Sequence, residues 1–132
     1  MSGPLSGFKV LDMSRVLAGP VATVLLADQG ADVIKVEPLK GDVIRAMGGG
    51  GVTPGFLTAN RGKRSIALDL KSEDGINIVK RLASEADVFV QNFRPGAIDG
   101  MGLGESVIRE INPKIIYVSM SGFGEELSLI HI

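Results

Sequence analysis

The sequence predicts an α/β fold, with an open, Rossmann-like parallel sheet and helices on both of its faces. Short apolar segments rich in β-branched residues alternate with segments of helical spacing along the 132 residues. Such segments are typical of parallel strands that are covered on both sides. The predicted strands lie near residues 8–12, 33–36, 65–69, 87–91 and 115–120.

The predicted helices have recognisable start and end signals. Pro20 suits a first helical turn and Gly30 suits the end of the same helix. Apolar residues run nearly all the way round this helix, so we expect it to be buried. Ser72, followed by two acids, is a favourable start for the next helix. A short helix is predicted over residues 105–111.

The composition excludes several classes of protein. Fourteen basic and fifteen acidic residues give a net charge of −1, which argues against a general nucleic-acid binder. The chain has no cysteine, so disulfides, thiolate metal sites and cysteine nucleophiles are excluded. No apolar run approaches the roughly 20 residues of a membrane span, and no signal-peptide core is visible. We therefore expect a cytoplasmic protein with no nucleic-acid or membrane partner.

Most catalytic and nucleotide signatures are missing. Residues 38–63 are predicted to form one long loop, and the glycines at 48–51 favour a flexible segment over a phosphate cradle. Neither the dinucleotide glycine motif nor the P-loop lysine motif is found. The single histidine, His131, lies beside the chain terminus, so a Ser-His-Asp triad is not expected. No spacing of His, Asp or Glu indicates a metal site.

Three bases stand directly before the third predicted strand. Arg61, Lys63 and Arg64 could contact an anionic ligand beside the strand. Alternatively they are structural, with Arg64 pairing with an acid to hold the long loop. Asp12 and Asp69 are isolated acids in strand-like surroundings, and a hydrogen-bonded structural role is favoured over a catalytic one.

Four segments, taken together, resemble the start of a class III CoA-transferase. They are VLDMSRVLAGPVATVLLADQGADVIKVEP, NRGKRSIALDLKSEDG, ADVFVQNFRPGAIDGMGLG and NPKIIYVSMSGFG. This family includes formyl-CoA transferase, carnitine CoA-transferases and α-methylacyl-CoA racemase. The resemblance implies that residues 1–124 are the N-terminal part of a Rossmann-like large domain. It further implies a second, small domain and a homodimer of two interlocked chains.

The resemblance also implies a ligand, a coenzyme A thioester that is substrate rather than permanent cofactor. Lys71 and Arg94 are expected to meet its diphosphate, and Leu17 and Ala18 to line the adenine or pantetheine path. The complete set of implied CoA contacts is Leu17, Ala18, Leu68, Asp69, Leu70, Lys71, Asn92, Phe93 and Arg94. Leu68–Leu70 would offer backbone groups to the ligand.

Two positions depart from the family pattern. Pro38 follows the acid of the second strand, where many relatives have an arginine that stacks on adenine. Lys40 or Arg45 would have to replace it. Gly100 stands where many relatives have a basic residue. Both changes remove a cation from the expected CoA site.

The implied function is transfer of coenzyme A between an acyl-CoA donor and a carboxylic acid acceptor. In the family, a carboxylate attacks the thioester, and the catalytic residues lie downstream of the SGFG segment. The catalytic residues of this protein are therefore unknown from the chain. The alternatives are an acyl-CoA racemase, which exchanges the proton next to the thioester carbonyl, and a non-catalytic CoA- or nucleotide-binding module.

Residues 125–132 are expected not to be native sequence. LSLIHI can be encoded by CTGTCTCTTATACACATC, which matches a transposon end used in sequencing libraries. His131 would then have no role, and the 132-residue chain alone would show no turnover. The alternative is that this apolar tail packs as a helix or strand.

Overall fold

Strands and helices alternate along the chain, as predicted, in residues 2–48 and 52–126, which this computed structural model describes. The elements are β1 (Lys9–Asp12), α1 (Ala18–Asp28), β2 (Asp32–Glu37), α2 (Val43–Ala46), α3 (Pro54–Asn60), β3 (Arg64–Ala67), α4 (Glu73–Glu85), β4 (Val88–Gln91), α5 (Ala97–Gly100), α6 (Glu105–Ile111) and β5 (Ile116–Ser119). The strands form one sheet in the order β3-β2-β1-β4-β5.

The pairing of the strands confirms the predicted fold class. Every neighbouring pair in the sheet is parallel. Each predicted strand is found with its ends within two residues of the predicted position. The short helix predicted over residues 105–111 is α6. All carboxyl ends of the strands therefore lie along the same edge of the sheet.

The sheet is covered on both faces by separate apolar cores. Leu11 of β1 belongs to one core, which includes fully buried Val79 and Ala83 of α4 and Ile108 of α6. Its neighbour Val10 points the other way, into a core that α1 covers. This alternation follows from the two-residue period of a strand.

The prediction of one long loop over residues 38–63 was wrong. Asp42 caps α2 by accepting a backbone N–H bond, and Thr53 caps α3 in the same way. Pro54 occupies the first turn of α3, where its missing N–H does no harm. These capping signals were in the sequence and were outweighed by the glycine run. Gly49, Gly50 and Gly51 lie outside the described residues.

The expectation that α1 is buried all round was also wrong. Thr23 and Val24 face the sheet, but Val21 is 43% exposed and Leu25 is 54% exposed. The sheet covers one side of α1 and α3 packs beside it, which leaves an outer apolar stripe uncovered. Gly30 has a φ of 99° just past the helix end, as its glycine identity predicted.

Helix α5 was not predicted, and it begins after Gly96, whose φ of 80° suits glycine. Residues 127–132 lie outside the described residues, so the proposed adapter origin of the tail stays a prediction. Within residues 2–48 and 52–126, none of the helices has the length and apolar character of a membrane-crossing segment.

Candidate coenzyme A site

The strand order creates a crevice at the carboxyl edge of the sheet. From β1 the chain continues to β2 on one side, whereas β4 lies on the other side. The loops after β1 and β4 therefore diverge, and this switch point is the usual ligand site of an open α/β sheet. A groove of about 530 Å³ lies there. Its lining comprises Met13, Arg15, Val36, Pro38, Leu39, Lys40, Leu68, Asp69, Leu70, Lys71, Phe93 and Met101.

Arg15 is a groove residue that the sequence analysis missed. The Asn92 side chain accepts a hydrogen bond from the Arg15 N–H and donates one to the Arg15 carbonyl, each at 2.8 Å. The guanidinium carbon of Arg15 lies 4.5 Å from the centre of the Phe93 ring. The loops after β1 and β4 are thus joined, and a cation–π contact sets the direction of Arg15. Its position directly behind the first strand could have identified it.

Lys71, one of the predicted CoA contacts, lies on the groove wall because a tight turn follows β3. The Asp69 carbonyl accepts bonds from the Ser72 N–H and hydroxyl, at 3.1 and 2.8 Å. The Asp69 carboxylate accepts the Lys71 N–H at 3.0 Å. Gly75 makes this turn possible, since a Cβ there would collide with the Asp69 carbonyl. Leu68 and Leu70, two further predicted CoA contacts, line the groove beside it.

The backbone contribution predicted for Leu68 is only partly available. Its N–H already donates to the Glu37 carbonyl at 2.8 Å, extending the β2–β3 pairing by one residue. That N–H cannot serve a ligand without breaking the pairing. The contribution of Leu68 to the groove is therefore its side chain, which is 7% exposed.

Of the two cations proposed to replace the family arginine, Lys40 lines the groove and Arg45 does not. Arg45 makes two hydrogen bonds of 2.7 Å to the Glu37 carboxylate. Its guanidinium carbon also lies 3.6 Å from the centre of the Phe56 ring. These contacts hold the Arg45 side chain between Glu37 and Phe56, so Arg45 connects α2 and α3 to the end of β2.

The Glu37 carboxylate accepts hydrogen bonds from three residues around the end of β2. Burial acts to raise its pKa, but hydrogen bonds from Arg45, Ser65 and the Asp42 N–H outweigh that effect and hold the pKa at about 2. The side chain is only 3% exposed. Glu37 thus stays ionised and fixes the position of the segment that carries Lys40.

The remaining predicted CoA contacts line a neighbouring pocket. This pocket has a volume of about 360 Å³ and is lined by Arg15, Val16, Leu17, Ala18, Asn92, Phe93 and Arg94. Arg15 and Phe93 line both cavities. The structure thus places Lys71 in one cavity and Arg94 in the other, with the Arg15–Phe93 pair shared between them.

Arg61, Lys63 and Arg64 do not line this groove, and each of them pairs with an acid, as the structural alternative predicts for Arg64. Arg64 pairs with Asp32 and Arg61 pairs with Asp28, both at the surface. Lys63 is buried and donates to the Asp12 carboxylate at 2.9 Å. These pairs tie β3 to β1, α1 and β2.

Lys63 and Asp12 form the centre of a buried polar cluster. The ammonium group also donates to the Pro20 carbonyl and the Asn60 side chain, both at 2.9 Å. Burial lowers the pKa of Lys63, against the opposing effect of Asp12. Asp12 accepts further bonds from the hydroxyls of Ser14 and Thr23. Asp12 is therefore the structural acid that was favoured over a catalytic one.

Comparison with known proteins agrees with the resemblance. The profile of CoA-transferase family III matches residues 5–128. Human succinyl-CoA:glutarate CoA-transferase is 50% identical over 126 residues, which cover 92% of this chain and 29% of that protein. Formyl-CoA:oxalate CoA-transferase of Streptomyces coelicolor is 48% identical, over 92% of this chain and 30% of that protein.

A solved structure gives the same answer for the fold. A CAIB/BAIF family protein from Brucella suis superposes with a TM-score of 0.90 at 44% identity, over 94% of this chain and 35% of that chain. The chain thus spans about a third of the length of the proteins it matches. Since the family profile covers all of the residues that form the sheet and the groove, the chain belongs to CoA-transferase family III.

Proposed function

We propose that the chain is the N-terminal part of an enzyme that transfers coenzyme A from an acyl-CoA to a carboxylic acid. The groove at the switch point would hold the CoA portion. The observation that carries this proposal is the placement of three cations, Arg15, Lys40 and Lys71, around one cavity in a member of this family. The chain as a whole has a net charge of −1, so this clustering is local.

The chemistry of the groove suits coenzyme A. Its diphosphate and ribose phosphate are polyanions, which arginine and lysine bind through charge-assisted hydrogen bonds. Between the cations the walls are apolar, with Met13, Val36 and Leu68 buried beneath the cavity. Such a wall suits the less polar pantetheine arm.

The proposed reaction requires a site that holds CoA between successive chemical steps. A carboxylate of the enzyme would attack the acyl-CoA carbonyl, the C–S bond would break, and CoA thiolate would leave behind a mixed anhydride. The thiolate then has to attack the carbonyl of the enzyme's own carboxyl group, which forms an enzyme–CoA thioester and releases the first acid. The acceptor acid would take CoA from this thioester by the same two steps in reverse, which regenerates the enzyme carboxylate. A cradle that holds CoA by its phosphates keeps the thiolate in place between these steps.

A short dicarboxylic acid is our proposed acceptor. The curated relatives include a succinate–glutarate CoA-transferase of Agrobacterium fabrum at 47% identity, besides the glutarate and oxalate enzymes above. All three names contain a dicarboxylic acid. The test is to incubate the full-length protein with succinyl-CoA and a panel of glutarate, oxalate, malate and monocarboxylic acids, and to detect new acyl-CoA by mass spectrometry.

The outcomes of this assay separate the candidate functions. Transfer to a dicarboxylic acid supports the proposal. Transfer only to monocarboxylic acids would show that the acceptor is not a dicarboxylic acid. Absence of transfer, together with deuterium uptake next to the thioester carbonyl of a branched acyl-CoA in D2O, would make the protein a racemase. CoA binding without either reaction would make it a binding module.

The placement of CoA is tested by two substitutions in the full-length protein. Lys71→Ala and Arg94→Ala should each weaken CoA binding by about 1.5–3 kcal/mol, because each removes a charge-assisted phosphate contact. Titration calorimetry with CoA gives the affinities, and Arg64→Ala removes a base that lies outside both cavities. If neither Lys71→Ala nor Arg94→Ala changes the affinity, CoA does not occupy these cavities. A change with only one of them would identify the cavity that holds the phosphates.

A further inference from the structure

Val16 has a backbone conformation that its side chain disfavours. Its φ is 68°, and among the described residues it is the single non-glycine with a positive φ. A β-branched residue in this region is a strained exception, and such strain persists only where surrounding contacts impose it. Val16 directly follows Arg15 and precedes α1, so the strain lies within the loop that shapes the groove.

The group that holds Val16 in place is the carboxylate of Asp42. The Val16 N–H donates to both oxygens of Asp42, at 3.2 and 3.3 Å. The Asp42 side chain is fully buried, and the Lys35 ammonium lies 3.0 Å from it. Lys35 also donates to the Ser14 carbonyl at 2.9 Å. The buried Lys35–Asp42 ion pair therefore makes hydrogen bonds to the backbone on both sides of Arg15.

The other polar contacts of this loop also come from side chains. The Ser14 N–H donates to Asp12 at 2.9 Å, and the Arg15 N–H donates to Asn92. The N–H groups of Ser14, Arg15 and Val16 are thus each bonded to a side-chain oxygen. Neither sheet nor helix dictates the path of this loop, so its shape depends on the acceptors around it.

We propose that Asp42 is a positioning residue that holds Val16 in its left-handed conformation and thereby aims Arg15 into the groove. Asp42 does not itself line the groove, so it acts through the loop. The identity of the ligand as CoA rests on the function proposed above. Without the carboxylate, Val16 can return to a negative φ, which re-routes the backbone next to Arg15 and moves its side chain away from Phe93.

The test is a set of variants of the full-length protein, titrated with CoA. Asp42→Asn should weaken CoA binding about tenfold, which corresponds to about 1.4 kcal/mol, because it replaces one of the two oxygens that accept the Val16 N–H and removes the charge that pairs with Lys35. Adding Val16→Gly to Asp42→Asn should restore most of this loss, because glycine adopts a positive φ without strain. The double variant is compared with Val16→Gly alone, because Val16 lines the neighbouring pocket and its side chain could affect CoA binding directly. In an Arg15→Ala background, Asp42→Asn should cause little further loss.

Rescue by glycine and dependence on Arg15 are results that a purely stabilising ion pair would not give. Equal weakening by Asp42→Asn with and without Val16→Gly, or with and without Arg15, would overturn the proposal. If Asp42→Asn fails to fold but the double variant with Val16→Gly folds, the strain assignment is supported. If neither folds, Asp42 serves stability and the proposal is lost.

A second readout separates this inference from the choice of ligand. Hydrogen exchange at the Val16 N–H should accelerate in Asp42→Asn, and it is measured without CoA. Unchanged exchange would overturn the role of Asp42 whatever the ligand is. Faster exchange, with no CoA binding by the unmodified protein, would instead leave the loop assignment standing and reject the proposed function.

Discussion

The cations inside the molecule and the cations around the groove belong to the same residue types but differ in their partners. Each inner cation pairs with a buried carboxylate: Lys35 with Asp42, Lys63 with Asp12, and Arg45, whose own side chain is 32% exposed, with Glu37. The groove cations Arg15, Lys40 and Lys71 border an open cavity. Pairing with a buried carboxylate, and not clustering in the sequence, therefore distinguishes the structural cations from the cations that border the groove.

This difference predicts whether substitution of a cation or its partner changes the stability of the fold or the affinity for a ligand. A buried ion pair has lost its hydration, so removing one partner leaves an uncompensated charge in a low-dielectric interior. Substitution of an inner residue should therefore change the free energy of unfolding. An exposed cation keeps its hydration, so its loss should alter ligand affinity and leave the fold intact.

The largest effect is expected for Asp12→Ala. Loss of this carboxylate leaves buried Lys63 without its counter-charge and removes the acceptor of Ser14 and Thr23. We expect a loss of about 3–5 kcal/mol in the free energy of unfolding, measured by urea denaturation. Asp28→Ala is the matched control, because its partner Arg61 is half exposed. Similar losses in the two variants would contradict the distinction between inner and surface pairs.

An intermediate effect is expected on acidification, through Glu37. Its pKa in the folded protein is about 2, below the ordinary value of 4.5, so the folded state binds this proton less readily than the unfolded state. The resulting stabilisation is fully present above about pH 4.5 and is lost as the pH falls toward 2. It amounts to on the order of 3 kcal/mol.

The measurement is the free energy of unfolding as a function of pH. Glu37→Gln keeps the shape of the side chain but has no proton to bind, so its stability should fall less steeply between pH 4.5 and 2. The variant should also be less stable than the parent at neutral pH. Parallel pH curves for the parent and the variant would show that Glu37 is not the titrating group.

The sequence predicted the sheet and part of the groove, for identifiable reasons. Short runs rich in apolar and β-branched residues located every strand, including the edge strands β3 and β5, in which no residue is fully buried. The place of Lys71 followed from family resemblance and the rule that ligands lie beyond strand ends. Arg15 lies in a segment that carries the family resemblance, but the direction of its side chain depends on Asn92, which is 77 residues away. The Lys63–Asp12 pair spans 51 residues, and no local pattern encodes such a contact.

The failure to predict helices α2 and α3 has a local cause instead. Residues 43–46 and 54–60 form helices too short to show an apolar periodicity. Their signals are single capping side chains, Asp42 and Thr53. Asp42 also contacts Lys35 and Val16, so the part of the fold that the sequence analysis missed is also the part that holds the groove loop.

The smallest effect is expected for Arg64→Ala, which sharpens the comparison because Arg64 adjoins buried Lys63 in the sequence. Arg64 makes two hydrogen bonds to Asp32, yet the side chains are 65% and 45% exposed. Water and salt screen such a pair, so we expect a loss of about 1 kcal/mol or less in the free energy of unfolding. CoA affinity should stay unchanged, because Arg64 lies at the start of β3, at the amino edge of the sheet. Urea denaturation and CoA titration of the same sample test both expectations. Weaker CoA binding by Arg64→Ala than by Lys71→Ala would assign ligand binding to the segment 61–64 and reverse the division between the two groups of cations.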